Sequence, residues 1–137
     1  MALVVCNAGE VKLLTTAIKT ALSVDESFTL RLYKNNYTPL ATSVVGDFTE
    51  ADFTGYTSKT LTRAGWNAAS SVSGTGTIVF GTAQTWTCGA SGNTVYGIYV
   101  RDGSGDLVWA EKFASARVLT DTDTVTYTPQ CTLISAN

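Results

Sequence analysis

The stretch DFTEADFTGY, residues 47–56, sets three carboxylates, Asp47, Glu50 and Asp52, among the rings of Phe48, Phe53 and Tyr56. Carboxylates grouped this closely could exchange protons or hold calcium. A calcium loop needs a longer alternation of oxygen ligands with glycine at its centre, and the match here is slight. The structural alternative is a capped turn. Thr49 would cap a helical turn over Glu50–Phe53, Asp52 three residues on would complete a capping box, and Phe48 and Phe53 would anchor both ends in a core.

Other chemistry has little to draw on. The chain contains no histidine, so a Ser-His-Asp triad of the usual form cannot be assembled. GxSxG does not occur, and Ser58-Lys59 falls in a strand-like alternation that points neighbouring side chains to opposite faces. Cys6, Cys88 and Cys131 form no CxxC pair, and the absence of histidine removes the common zinc patterns. They read as buried free thiols in preference to a Cys88–Cys131 bridge. The glycine-rich pieces SGTGTIVFG and GASGNTVYG lack the lysine and the following helix of a phosphate cradle, and read as strand connections. No catalytic residue, metal or cofactor is expected.

Aromatic residues offer a different function. Trp66, Trp86 and Trp109, with Tyr96 and Tyr99, could stack on sugar rings, or fill the core of a small β domain. Trp109 alternates with Leu107 and is expected to be buried, whereas Trp66 lies in an unassigned stretch and is the tryptophan expected to touch a partner. The candidate contact set is therefore Phe48, Glu50, Asp52, Phe53, Tyr56 and Trp66.

The elements that must position these residues are mostly strands. In FTLRLYK, Phe28, Leu30 and Leu32 fall on one face and Thr29, Arg31 and Tyr33 on the other. Downstream, YTSKTLTR, GTIVFG, QTWTCG, TVYGIYVRD, LVWAEKF, ARVLT, DTVTYTP and QCTLIS carry β-branched and aromatic residues at short, even intervals. RDGSGDL, 101–107, predicts a hairpin with Gly103 and Gly105 at positive φ, joining strands near 94–101 and 107–113. Residues 64–76 read as a long loop or irregular edge, and Pro39 confines any strand through 37–45 to an edge or bend. Ahead of the strands, Asn7 and Glu10 have capping-box spacing, and Val11, Leu14, Ile18 and Leu22 follow at helical steps, predicting an amphipathic helix over about residues 8–22. The expectation is mainly β: one domain, an antiparallel β-sandwich over about 27–135, jelly-roll-like, with one N-terminal α-helix.

Composition narrows the partners. The chain has 137 residues, only 15% of them charged, and a net charge of −2. Its nine basic residues are scattered singly, which argues against direct nucleic-acid binding. No apolar run is long enough to span a bilayer and no basic segment precedes the N-terminal apolar residues, so a protein made in a cytoplasm, without membrane contact, is expected.

Taken together, LVVCNAGEVKLL, LRLYKNNYTP, DFTEADFTGYTSKTLTRAGW, QTWTCGASGNTVYGIYV and LVWAEKF occur in order along nearly the whole chain. In this they resemble a family of small structural proteins of tailed bacteriophages. The resemblance implies a virion component, with a capsid-decorating or cement role suggested by the size. It implies a location on the capsid exterior, the major capsid protein as partner, and a homo-oligomer, dimer or trimer. It carries no active-site residues. The alternative is a tail-fibre or receptor-binding tip module contacting a host glycan.

Overall fold

Strand β2, Phe28–Tyr33, shows how the sequence pattern becomes architecture. Its antiparallel register on β7, Thr94–Arg101, places Leu30 opposite Val100 and Leu32 opposite Ile98, and these four side chains share one face. The intervening Arg31 pairs with Tyr99 and Tyr33 with Gly97, on the other face. Alternation thus builds a sheet with two distinct sides.

The computed structural model describes residues 4–5, 27–68, 70–72 and 75–134. The expected helix over 8–22 lies outside the described residues, as does Cys6. The described chain is mainly β, in antiparallel sheets. A five-stranded sheet has the order β1-β8-β7-β2-β3, where β1 is Val4–Val5, β3 Lys59–Leu61 and β8 Leu107–Val118. A three-stranded sheet runs β10-β5-β4, from Gln130–Ile134, Thr75–Val79 and Ser70–Val72. A two-stranded ribbon pairs β6, Gln84–Thr87, with β9, Thr124–Tyr127.

The principal core joins one face of the large sheet to the ribbon: Leu30, Leu32, Ile98, Val100 and Trp109 cluster with Trp86 and Val125. Each strand of the ribbon has a threonine-hydrophobe-threonine pattern, so Trp86 and Val125 point inward while the threonines stay out. The opposite face of the large sheet has its own cluster of Tyr33, Phe48, Tyr99, Leu107 and Ala110. Because β2 and β7 are covered on both sides, VYGIYV is almost continuously apolar instead of alternating.

Several sequence expectations are corrected. LVWAEKF and most of ARVLT are one strand, β8, because irregularities in register, the wide one between the pairs Gly97–Lys112 and Val95–Arg117, let it stay paired with β7. Between the pairs Val100–Trp109 and Arg101–Leu107, Val108 is an extra residue. This bulge reverses the parity of the strand: Leu107 and Trp109 are both buried, yet in different clusters. In the β7–β8 hairpin only Gly105 takes positive φ, at +93°, and Gly103 does not. The Asp102 carboxylate accepts from the N–H groups of Ser104 and Asp106, each at 2.9 Å, which shapes the turn without a second left-handed residue. Residues 64–76 are not wholly irregular, since β4 and the start of β5 lie within them.

Candidate contact surface

No helical turn forms over Glu50–Phe53. Residues 48–53 are extended: Lys34 donates its N–H to the Thr49 carbonyl and Ala51 to that of Leu32, and Glu50 forms an antiparallel bridge with Tyr33. The expected Thr49 cap is therefore absent, because pairing with the open edge of β2 satisfies these backbone groups instead. This segment continues the edge that β3 begins at Phe28–Leu30. The turn proper comes later, where Tyr56 N–H bonds the Phe53 carbonyl and Gly55 supplies φ of +88° at the third position.

Extension separates the candidate residues by role. Phe48 and Phe53 are buried, in the outer and principal clusters respectively, in keeping with the anchoring expected of them. Glu50 pairs with Arg31 and accepts the Tyr56 hydroxyl at 2.9 Å, while that hydroxyl accepts the Leu32 N–H at 3.2 Å. Burial pushes the Tyr56 phenol well above its ordinary range, and the neighbouring Glu50 carboxylate adds to the effect. Burial lowers the Arg31 guanidinium but the Glu50 hydrogen bond and charge outweigh it, so the net direction is upward. Asp52 is exposed and lies 2.6 Å from Lys34 Nζ; that hydrogen bond, with one from Asn93, holds its carboxyl below the usual carboxylate range.

Trp66 bridges to Phe80 and is half-buried, with its ring edge-on to Phe80 at 5.3 Å and to Trp109 at 6.0 Å. Six candidates thus occupy three environments: Phe48, Glu50, Phe53 and Tyr56 lie along the β2 edge, Asp52 projects from it, and Trp66 belongs to another part of the core. Lys59 holds its ammonium 5.5 Å from the centre of the Trp86 ring. Cys88 and Cys131 are free and buried, and burial raises both thiols, leaving little reactive thiolate at neutral pH. Among the described residues no group of three His, Cys, Asp or Glu side chains is placed to hold a metal ion, and no helix is long and apolar enough to cross a membrane.

Two exposed features escaped the sequence reading. The ribbon displays Thr85 opposite Thr126 and Thr87 opposite Thr124, all exposed, with the first pair's hydroxyl oxygens 3.0 Å apart. The repeated TxT pattern was visible in QTWT and TVTYT, but its pairing across the ribbon required the register. The second feature is the loop 35–46, NNYTPLATSVVG, which contains no charged residue. It leads to a 3₁₀ turn, Val45–Asp47, whose Asp47 carboxylate accepts the Val44 N–H at 2.9 Å. The loop covers the outer face of the sheet through Tyr37 and Val45.

The chain matches no protein-family model, and no curated protein matches it.

Proposed function

We propose that this protein is a structural component of a tailed-phage virion, a decoration or cement protein that binds the outside of the head and reinforces the major capsid protein shell. The reading starts from the sequence resemblance. The structural observation that supports it best is the exposed threonine face of the ribbon, Thr85, Thr87, Thr124 and Thr126. Each residue offers a methyl and a hydroxyl on a β-branched side chain with few rotamers to lose on contact. A neutral face of this kind suits a modest interface repeated over a shell, where many copies act together. In this reading the large sheet, the three-stranded sheet and the ribbon form a β-sandwich, and the protein binds as a symmetric dimer or trimer.

The test is to mix purified protein with undecorated heads of the phage that encodes it and image the particles by electron microscopy. Regular added density over the shell, with greater resistance of the heads to heat, is the expected result. Bare heads, with the protein located at the tail of the intact virion, would overturn it.

A further inference from the structure

Strand β8 leaves the protein's interior over its last five residues. Ala114, Ser115, Ala116, Arg117 and Val118 are consecutive and all exposed, Val118 by 70%, although the same strand is buried from Leu107 to Ala110. On the side of β7, Lys112 pairs with Gly97 and Arg117 with Val95, so Phe113–Ala116 stand opposite Tyr96 alone. On the other side, β1 pairs with Trp109 and Ala110. Among the described residues no strand is in register with Phe113–Ala116, and only β7 is in register with Arg117 and Val118. The open run stops at Leu119, which is buried and donates its N–H to the Asn93 carbonyl at 2.9 Å.

An extended row of backbone donors and acceptors facing water is a template for another strand, and an edge not meant for pairing is kept short or blunted with charge. The opposite margin of the large sheet is treated that way. Glu50 and Asp52 stand there in ion pairs with Arg31 and Lys34, Asn93 Oδ1 accepts the Asp52 N–H at 2.8 Å, and β3 has three residues. Ala114, Ser115 and Ala116 bring no charge, and β1 demonstrates that this side of β8 accepts an antiparallel strand. The edge therefore calls for a strand, and its own sequence fits. Paired antiparallel with itself about Ala116, the run leaves none of its five exposed residues unmatched: Ala114 meets Val118 of the second copy, Ser115 meets Arg117, and Ala116 meets Ala116. Val118 is covered and no like charges are opposed. Centring on Arg117 would set two guanidiniums against each other, and centring on Ser115 would leave Val118 opposite Lys112.

From this we infer that Ala114–Val118 is the edge at which a second copy of this chain adds its own β8, antiparallel about a two-fold axis at Ala116. The contact is isologous, so each copy uses up the other's edge and the pairing closes as a dimer instead of propagating. The inference rests on the homo-oligomer of the reading above, from which it selects the dimer, and does not depend on binding to heads.

The experiment is sedimentation velocity of the full-length protein across a concentration series, comparing wild type with Ser115→Arg and Ser115→Glu, each checked for folding by thermal melting. Wild type is expected to dimerise. Ser115→Arg, which opposes Arg117 of the second copy twice across the axis, should weaken the dimer about tenfold, and Ser115→Glu should tighten it. A second measurement needs no change of charge: Ala116→Cys should form a disulfide-linked dimer on mild oxidation, and Ala114→Cys, which faces Val118, should not. Wild type that stays monomeric throughout the series overturns the inference. Folded Ser115→Arg that dimerises as tightly as wild type, or cross-linking at residue 114 in place of 116, places the contact elsewhere and also overturns it. Heads are absent from this assay, so a dimer that responds to both Ser115 variants supports the inference even where heads stay bare, an outcome that overturns the decoration reading alone.

Discussion

The Phe48 ring lies nearly parallel to that of Tyr99, with centroids 5.1 Å apart and planes inclined by 14°. Tyr33 and Tyr37 meet the same Phe48 ring edge-on, at 5.1 and 5.3 Å. One residue of the edge segment thereby fastens both that segment and the loop 35–46 to the outer face of the sheet. The arrangement makes Phe48 a structural anchor whose loss reaches the exposed loop indirectly.

Phe48→Ala is accordingly expected to destabilise the isolated protein by about 3–4 kcal/mol, through lost burial and the cavity left among three rings. Urea unfolding measures this. A loss below about 1 kcal/mol would show that the outer cluster is not cooperative with the rest of the fold.

Tyr56→Phe removes the hydroxyl that joins the Leu32 N–H to the Glu50 carboxylate. It leaves a backbone donor at the sheet edge without its acceptor, and the expected cost is about 1–2 kcal/mol. Hydrogen exchange at Leu32 should accelerate in the variant, whereas exchange at Val100, in the sheet centre, should follow only the global change in stability.

Gly97 has no room for a side chain. A Cβ there would stand 2.1 Å from the Glu111 carbonyl oxygen and 2.7 Å from the Tyr33 ring. Since one obstacle is backbone of the adjacent strand, Gly97→Ala should cost about 3 kcal/mol. Trimming Tyr33 in the same chain should not rescue it, as equilibrium unfolding of the double variant will report.

Thr122 is the one non-glycine residue with positive φ among the described residues, at 70°. A β-branched side chain is strained there, while asparagine accepts this backbone readily. Its N–H still bonds the Cys88 carbonyl at 2.8 Å, an interaction that any substitution except proline retains. Thr122→Asn should raise stability by about 1 kcal/mol, read as an increase in the urea midpoint at constant slope.

The pH dependence follows from buried phenols. Burial raises Tyr33, Tyr56 and Tyr127 above their ordinary value, with nearby carboxylates, Glu111 for Tyr33 and Tyr127 and Glu50 for Tyr56, pushing the same way. A folded pKa above the unfolded one means that the stabilisation is complete below the unfolded value of about 10 and lost as pH rises toward the folded value. Stability should therefore fall above about pH 10, with tyrosinate absorbance appearing together with unfolding. A tyrosinate signal that titrates fully before any loss of structure would contradict the burial of these phenols.

Local pattern alone established much of the strand inventory. Alternation in FTLRLYK marks β2 to within a residue, RDGSGDL marks the hairpin, and the spacing of Phe48 and Phe53 marks two buried anchors. These are readable because side-chain alternation and turn chemistry involve neighbours in the chain. The free, buried state of Cys88 and Cys131 follows the expectation from the sequence as well.

Only the tertiary structure decided which partners those patterns meet. The sequence around Thr49 suits a capped helical turn, but the open edge of β2 offers the same backbone groups partners within an extended sheet, and that competition cannot be judged from ten residues. Likewise the extra residue at Val108 sends Leu107 and Trp109 to opposite clusters, an outcome set by register with β7. The outward display of Leu40 and Val44 has the same origin: their apolar character is local, but their exposure depends on Ser43, Asp47 and Lys112 holding the loop against the sheet. Periodicity is a property of a segment, whereas burial is decided by what the rest of the chain brings to it.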